Sequence, residues 1–328
     1  MRATRSVAAS NNLNVIGTRL CQPLENETST SFELLSPCYP SRVSEFPRIS
    51  VVTASYNQAN FIEQTILSVL DQNYPNLEYI IMDGGSTDGT VEILKKYESR
   101  IAYWTSEKDG GASDALRKGF DRATGSILAY LNSDDYYMPG TLHHVADRFV
   151  RTGADVVYGD MYWVDVQGNV RAERRQTPFT RLGFLYGASD FSQPSTFWTK
   201  EIYCKAGGFD PAFQFAFDMD LFGRFMANGA KFVFTHRFLS SFRMHGAQKT
   251  HLINEVGRSE TRKIRRRYAR FDAKSMPGVV LRNVARAQRI AWYIRQGDLM
   301  WLIGRIPDRV LSHTTLAESG GPRSKWMG

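Results

Sequence analysis

The chain has 328 residues, of which 42% are hydrophobic, 12% aromatic and 23% charged, and these values exclude a collagen, a mucin and a chain that is disordered throughout. Its three cysteines, Cys21, Cys38 and Cys204, form no CxxC pair, which excludes a disulfide scaffold and a structural zinc ribbon. No apolar run approaches the ~18 residues of a membrane-spanning helix, and the chain opens without an apolar signal segment, so we expect a protein of the reducing cytoplasm.

The net charge of +8 is unevenly distributed. Residues 242–328 carry 18 Lys and Arg against 6 Asp and Glu, a balance of +12, and the rest carries 23 against 27, a balance of −4. A basic segment of this kind is typical of proteins that meet nucleic acid, anionic lipid or the phosphates of a nucleotide. Composition leaves these three partners open.

Residues 1–46 are rich in Ser, Thr, Asn and Pro with little periodicity, and we interpret them as a flexible leader. From Pro47 onwards, short β-rich runs alternate with helical patterns. The predicted strands are residues 49–54, 77–82, 101–105, 126–131 and 155–158, and the predicted helices are residues 60–70, 90–97, 113–123 and 141–150. This alternation predicts an α/β fold with a Rossmann-like, twisted, mainly parallel sheet flanked by helices.

The pattern is looser after Gly159. It predicts a hairpin near residues 166–169, helices at 200–206 and 219–228, and strands at 231–234 and 238–242. From Asn254 the chain is helical and basic. We therefore divide the chain into a leader (1–46), an α/β domain (47–250) and a helical basic C-terminal extension (251–328).

Polar clusters follow the predicted strands at their carboxyl ends, where open α/β sheets bind ligands. The first two are TASYN at residues 53–57 and DGGSTDGT at residues 83–90, in which Asp83 is placed to accept a hydrogen bond from a nucleobase N–H. The second lacks both GxGxxG and GK[ST], which excludes a dinucleotide fingerprint and a P-loop. A turn with a helix cap at Thr87 or Asp88 is the competing interpretation.

Adjacent carboxylates follow the fourth predicted strand, in NSDD at residues 132–135. Asp134 and Asp135 repel each other unless a positive charge compensates. Oxygen ligands of this kind suit Mg²⁺ or Mn²⁺, which leave coordination sites for a substrate's phosphates. A solvated turn is the alternative.

Two later segments carry titratable groups. Asp218 and Asp220 interrupt the aromatic sequence FAFDMDLF at residues 215–222, and a carboxylate in apolar company has a raised pKa and can act as a general base. Capping of the following helix is the alternative for Asp218. The sequence RMHG at residues 243–246 offers a cation, Arg243, and a metal ligand, His245, although a single histidine is more often structural.

In combination, these motifs resemble those of family-two glycosyltransferases with the GT-A fold, over roughly residues 47–246. The family's VxxxYN-like, (I/V)xxDDGSxDxT, DxD-like and EDxxL segments correspond to VTASYN at 52–57, IMDGGSTDGT at 81–90, NSDD at 132–135 and FDMDL at 217–221. Three positions depart from the family pattern. Gly84 stands in place of the second Asp of DDGS, Asn132 in place of a frequent Asp, and Phe217 in place of Glu.

The resemblance implies an inverting glycosyltransferase of the hexosyltransferase type, which moves a sugar from a nucleoside-diphosphate sugar, expected to be of UDP type, to an acceptor hydroxyl in polysaccharide or glycolipid biosynthesis. It implies Asp218 as the catalytic base. It also implies a divalent metal, Mn²⁺ or Mg²⁺, with the ligands Asp134, Asp135 and His245, and leaves open which aspartate is the main one. The implied donor-binding residues are Thr53, Tyr56, Asp83, Lys118 (or alternatively Arg117), Asp134 and Arg243.

Two other functions stay open at this point. A nucleotidyltransferase that activates a sugar phosphate is disfavoured because no Gly-rich basic loop follows the first strand. A non-catalytic carbohydrate-binding protein that retains the fold is disfavoured by Asp134, Asp135 and Asp218. The expected partners are a nucleotide-sugar donor and a carbohydrate or lipid-linked acceptor. Nucleic acid is not expected, because no recognised binding motif accompanies the basic charge.

The C-terminal extension suggests a further partner. In residues 279–294 one set of side chains follows helical spacing and an arginine set gathers on a neighbouring face. The first set is Leu281, Val284, Ala285, Gln288, Ala291 and Trp292, and the second is Arg282, Arg286 and Arg289. A basic amphipathic helix with Trp is typical of an anionic membrane surface, which favours peripheral binding to the inner face of the plasma membrane. Packing of these helices on the α/β domain is the alternative.

Overall fold

The structure is a computed structural model and describes residues 46–187, 191–246, 254–298 and 301. The predicted leader therefore lies outside the described residues, apart from Phe46.

Nine strands within the described residues form one sheet. Their bounds are β1 Ile49–Ser55, β2 Leu77–Asp83, β3 Tyr103–Ser106, β4 Ile127–Tyr130, β5 Tyr136–Tyr137, β6 Val156–Val164, β7 Val170–Arg174, β8 Thr196–Thr199 and β9 Phe232–Arg243. The order is β3-β2-β1-β4-β8-β6-β9-β5, with β7 beside β6. Strands β1 to β4 pair in parallel, as do β6 and β9, and β8 runs antiparallel between β4 and β6. The predicted α/β fold with a mainly parallel sheet is confirmed.

Helices cover the sheet. Their bounds are α1 Ile62–Leu70, α2 Thr90–Tyr97, α3 Ala112–Arg122, α4 Thr141–Thr152, α5 Arg181–Tyr186, α6 Lys200–Lys205, α7 Phe217–Ala227, α8 Asn254–Tyr268 and α9 Met276–Arg295. Over the part of the chain that is described, every helix is too short or too polar to cross a membrane. The sequence did not predict β5, β8 or α5, which have two, four and six residues. Segments this short display a hydrophobic period poorly, although β3, β4 and α6 are as short and were predicted.

Both faces of the sheet are buried, which explains the continuous apolar run of its first strand. Successive side chains of a strand point to opposite faces. Val51 accordingly packs in the layer that contains α1 and α4, while Val52 packs in the layer that contains α3, α6 and α7. Because β1, β2 and β4 run in parallel, they end at one edge of the sheet. The polar turns that follow these strands meet at that edge.

The C-terminal extension packs on the α/β domain. Ile264 of α8 is fully buried in the same apolar layer as Leu221 and Phe222 of α7. Gly257 lies so close to the segment before α7 that a Cβ atom there would stand 2.4 Å from Cδ1 of Phe215. In α9, Ala285 is buried and belongs to the face that meets the protein.

This packing bears on the predicted membrane face of α9. Leu281 packs on the apolar layer of the domain, and Trp292 stacks on His236 with ring centroids 5.4 Å apart. For Leu281, Ala285 and Trp292 the alternative of packing on the domain therefore holds. Val284, Gln288 and Ala291 of the same predicted set are exposed, and contact with a membrane stays a prediction.

Glu260 of α8 caps the segment that leads into α7. Its carboxylate is 7% exposed and accepts hydrogen bonds from the backbone N–H groups of Gln214, Phe215 and Ala216 at 2.9, 2.9 and 2.8 Å. A carboxylate at this place satisfies amide groups that would otherwise be unpaired. Its negative charge also interacts favourably with the positive end of the helix dipole. The extension therefore fixes the start of α7.

We expect Glu260→Gln to lower the free energy of unfolding by about 1–3 kcal/mol, because the amide NH₂ cannot accept from these buried N–H groups. Urea unfolding measures the change. The matched control is Glu255→Gln, an exposed glutamate of the same helix, which should change stability by less than about 0.5 kcal/mol. Equal urea midpoints for the two variants would show that the cap adds nothing.

Candidate active site

The turn after β2 is built around Asp83. The side chain is 2% exposed, and its carboxylate accepts from the N–H groups of Gly85 and Ser86 and from the hydroxyls of Ser86 and Ser106, at 3.2, 2.8, 2.6 and 2.6 Å. Asp83 thus holds the turn in the conformation observed. Its predicted contact with a nucleobase stays a prediction.

Gly84, one of the departures from the family pattern, faces a carboxylate from another loop. A Cβ atom at Gly84 would lie 3.1 Å from Oδ2 of Asp109, which belongs to the connection between β3 and α3. The missing side chain at position 84 therefore leaves room for the Asp109 carboxylate at the same edge of the sheet.

The turn after β4 depends on a buried carboxylate, that of Asp135. Its exposure is 0%. It accepts from the backbone N–H of Arg243 at 2.9 Å and from the amide of Asn132 at 3.2 Å. The hydroxyl of Thr65 in α1 donates to the carbonyls of Ser133 and Asp135 at 3.0 and 2.6 Å. Burial, with the nearby charge of Asp134, raises the pKa of Asp135 well above its usual range.

Asp134 points the other way and meets His245. Its Oδ2 lies 3.0 Å from Nε2 of His245, and the two side chains are 16% and 8% exposed. Across the described residues, no three side chains of His, Cys, Asp or Glu gather closely enough to hold a metal ion. The predicted set of three ligands is therefore not assembled, because the Asp135 carboxylate is bound to the backbone of β9.

The pair that remains still fits a divalent metal. A carboxylate oxygen suits Mg²⁺ or Mn²⁺, and Mg²⁺ is usually bound by one or two carboxylates together with substrate phosphates and water. An imidazole nitrogen is a further metal ligand. The ring of Phe61 stacks beside His245 with centroids 4.8 Å apart, which helps to fix the imidazole in place.

Arg243 is a buried structural cation. Its guanidinium donates to the carbonyl oxygens of Asp134 and Val166, each at 2.9 Å, and also to the side-chain amide oxygen of Gln64. The residue is 2% exposed. These bonds hold the turn after β4 against β9, whereas the predicted contact with a diphosphate has no support in this placement and stays a prediction.

Asp218 lies in the first turn of α7 and is half-buried. Burial raises the pKa of this carboxyl to about 6. Hydrogen bonds from the backbone N–H groups of Met219, at 2.7 Å, and of Asp218 itself have the smaller, opposite effect. Tyr130, the last residue of β4, packs on Phe217 with ring centroids 6.1 Å apart. Burial, with smaller effects from the charges of Asp218 and Asp135, raises the pKa of Tyr130 well above 10. Asp218 therefore lies near the turn after β4.

Asp220 has a different environment although it is two residues away. It is fully buried and pairs with Arg224 at 2.8 Å and with Arg267 of α8 at 3.1 Å. These ion pairs tie α7 to α8, so Asp220 is a structural residue.

The other predicted donor-binding residues are scattered along the same edge. Thr53 is fully buried and its hydroxyl lies 3.1 Å from that of Tyr79, whereas Tyr56 is 62% exposed. Lys118 pairs with Asp114 at 2.8 Å, and this hydrogen bond is the main cause that lowers the pKa of Asp114 to about 2. Of the three, Tyr56 is the most open to a ligand.

Two residues were not singled out by the sequence analysis. Glu260 gave no signal because its partners are backbone groups about 45 residues earlier in the chain. Asp160 interrupts the apolar strand β6 and was the more visible of the two. It borders a cavity of about 370 Å³ beside Arg175 and Trp292, and burial raises its pKa to about 7.

A second groove, of about 490 Å³, lies between α1 and β5 and is lined by Glu63, Gln64 and Tyr136 among others. It contains none of the residues predicted to act in catalysis or to bind a metal or donor. Its size alone does not make it the donor site, because pockets on a protein surface need convergent polar groups to orient a ligand.

Comparison with known proteins identifies the family. Residues 50–212 match the family model for glycosyl transferase family 2. An uncharacterized glycosyltransferase of Mycobacterium tuberculosis is 32% identical over 177 residues, which are 53% of this chain and 67% of that protein. TuaG of Bacillus subtilis, a glycosyltransferase named for teichuronic acid biosynthesis, is 48% identical over 92 residues, which are 27% of this chain and 36% of TuaG.

Two solved structures have the same fold. Staphylococcus aureus TarS 1–349 in complex with UDP-GlcNAc aligns with a TM-score of 0.53 and 17% identity, over 73% of this chain and 79% of that one. The mannosyltransferase PcManGT of Pyrobaculum calidifontis, in complex with GDP-Man and Mn²⁺, aligns with a TM-score of 0.52 and 18% identity, over 84% of this chain and 76% of that one. The chain therefore belongs to glycosyl transferase family 2 and is a glycosyltransferase with the GT-A fold.

Proposed function

We propose that the protein is an inverting glycosyltransferase that transfers a sugar from a nucleoside-diphosphate sugar, of UDP type, to an acceptor hydroxyl in polysaccharide or glycolipid biosynthesis. The observation that carries the proposal is the Asp218 carboxyl, whose pKa is about 6 and which lies near the turn that carries Asp134. The complex of TarS with UDP-GlcNAc and the name of TuaG support the donor type and the pathway class. The cytoplasm stays the expected location.

Asp218 is the general base in this proposal. Its carboxylate takes the proton of the acceptor hydroxyl while that oxygen forms a bond to the anomeric carbon of the donor sugar. The bond from that carbon to the diphosphate breaks in the same step, and the diphosphate leaves with its electron pair. A single displacement on the face opposite the leaving group inverts the anomeric centre. A pKa near the working pH suits such a base, because it is largely ionised yet still basic.

Asp134 and His245 would hold a divalent metal, Mn²⁺ or Mg²⁺. When bound, such a metal neutralises the negative charge of the leaving diphosphate. The complex of PcManGT with GDP-Man and Mn²⁺ supports this assignment. Asp135 then contributes by holding the turn, since both of its oxygens already accept hydrogen bonds from the chain.

The donor's nucleoside would lie along the ends of β1 and β2. Tyr56 is exposed there. The carboxylate of Asp109 lies beside Gly84, which follows Asp83 in the chain. In this proposal Asp109 supplies the carboxylate that the family places at position 84, and Asp83 keeps the turn in shape. Lys118 and Arg243 complete the set of predicted donor contacts.

We expect Asp218→Asn to lower turnover by about 100-fold or more while leaving donor binding unchanged, because an amide cannot accept the proton. The measurements are steady-state turnover, read as release of nucleoside diphosphate, and donor binding by calorimetry. Asp220→Asn is the comparison. It breaks the pairs to Arg224 and Arg267, so it should lower stability and affect turnover less. A larger loss of turnover in Asp220→Asn would assign the base to Asp220.

The pH dependence follows from the raised pKa of Asp218. The base acts only when ionised, so turnover should rise as the pH increases through about 6 and level off above it. A profile of turnover from pH 5 to pH 8 tests this, and Asp218→Asn should lose the inflection. A profile that is flat through pH 6 in the wild-type protein would contradict the assignment.

We expect turnover to disappear after chelation and to return with Mn²⁺ or Mg²⁺. Asp134→Ala should raise the metal concentration needed for half-maximal turnover by at least about tenfold and leave stability nearly unchanged. Asp135→Ala should lower the free energy of unfolding by about 1–3 kcal/mol instead, because it leaves the N–H of Arg243 buried without a partner. Full turnover after thorough chelation would exclude the metal.

A further inference from the structure

The outward face of α9 carries apolar side chains. The most exposed are Met276, Val280, Val284, Ile290 and Ile294, whose exposed fractions are 78, 54, 43, 46 and 51%. We call these five residues the outer stripe. The opposite face of the helix is buried, with Ala285 and Tyr293 only 3% and 1% exposed. The outer stripe is therefore a second apolar face on a helix that already uses its first face for packing.

The outer stripe runs along the helix with one polar residue inside it. At 100° per residue, its five positions fall within an arc of roughly 120°, and the exposed Ala287, Ala291 and the polar Asn283 fall inside the same arc. At 1.5 Å per residue the arc extends for about 27 Å. Scattered exposed apolar residues are ordinary, whereas a contiguous strip of this length marks an interaction surface.

Arginines border the outer stripe on both sides. In the same projection Arg286 lies at one edge and Arg295 at the other, and both are exposed. An apolar strip between two cationic edges suits the boundary between the headgroups and the acyl chains of an anionic membrane, where the strip enters the apolar region and the arginines meet lipid phosphates. The net positive charge of residues 242–328 adds to the attraction of these two arginines for an anionic surface.

We propose that α9 lies in the plane of an anionic membrane surface and binds it through the outer stripe, with Arg286 and Arg295 on lipid phosphates. The helix lies on the bilayer rather than across it, because its other face is occupied by the protein. The proposal keeps Val284 and Ala291 of the face predicted from the sequence, and it replaces the packed residues Leu281, Ala285 and Trp292 by the other members of the outer stripe. It does not depend on the reaction, the donor or the metal.

The test is co-sedimentation of the full chain with vesicles of phosphatidylcholine alone and with vesicles in which about a third of the lipid is phosphatidylglycerol. The wild-type protein should bind the anionic vesicles in low salt and lose most of this binding in high salt. The double substitution Val280→Asp with Val284→Asp should reduce the bound fraction at least about tenfold, because it places two carboxylates in the apolar strip.

The chain offers a closely matched control. Val150 and Val170 are 42% and 56% exposed and lie outside α9, so Val150→Asp with Val170→Asp makes the same charge change at the same exposure. This control should bind as the wild type does. Circular dichroism and release of nucleoside diphosphate should be unchanged in both double variants, which separates this proposal from the proposed reaction. Removal of the whole C-terminal extension is a poorer test, because it would also remove Glu260.

A second pair of changes does not disturb the apolar strip. Arg286→Gln with Arg295→Gln should weaken binding to anionic vesicles by roughly tenfold and leave the weak binding to neutral vesicles as it is. The proposal is overturned if the wild-type protein fails to bind anionic vesicles in low salt. It is likewise overturned if the variant Val280→Asp with Val284→Asp binds as well as the control Val150→Asp with Val170→Asp. It is also overturned if the wild type is a dimer that Val280→Asp with Val284→Asp dissociates without any vesicle binding, since the stripe is then covered by a second copy.

Discussion

The carboxylate of Asp135 connects two parts of the sheet that lie 108 residues apart in the chain, the turn after β4 and the end of β9. A fully buried carboxylate is costly unless it is hydrogen-bonded, and this one accepts the N–H of Arg243 and the amide of Asn132. The bond brings the end of β9 to the turn. His245 follows two residues later, and this places its imidazole 3.0 Å from Asp134. The relation between the two proposed metal ligands thus depends on a neighbouring carboxylate that is buried and hydrogen-bonded to the chain.

The same division between a structural and an open carboxylate recurs at α7. Asp218 and Asp220 are separated by about 200° around the helix, so they face different surroundings. Asp220 is neutralised by Arg224 and Arg267. Asp218 has no cation among the groups that shift its pKa, and burial raises that pKa to about 6. In each pair, the carboxylate that is fully buried and bonded to other parts of the chain is the one less open to a ligand.

The C-terminal helices belong to this arrangement. Glu260 binds three consecutive N–H groups ahead of α7, and Arg267 reaches Asp220, so α8 positions the helix that carries the proposed base. Helix α9 packs one face on the domain through Ala285 and Trp292. Its other face is apolar and exposed, so the extension supports the α/β domain with one face and, in our proposal, meets a membrane surface with the other.

The sequence by itself determined the α/β architecture, the strands that end in polar turns, and the family. Those features are local in the sequence. A buried strand appears as an apolar run, the apolar residues of an amphipathic helix recur about every 3.6 residues, and a motif has a fixed spacing. Only the tertiary structure decided which carboxylate of each pair is open, that the guanidinium of Arg243 binds backbone carbonyls, and which face of α9 is buried. Those outcomes depend on residues distant in the chain, such as Arg243 for Asp135 and Glu260 for α7. The period of a helix reveals that two faces differ, but the surface against which it packs decides which of them is hidden.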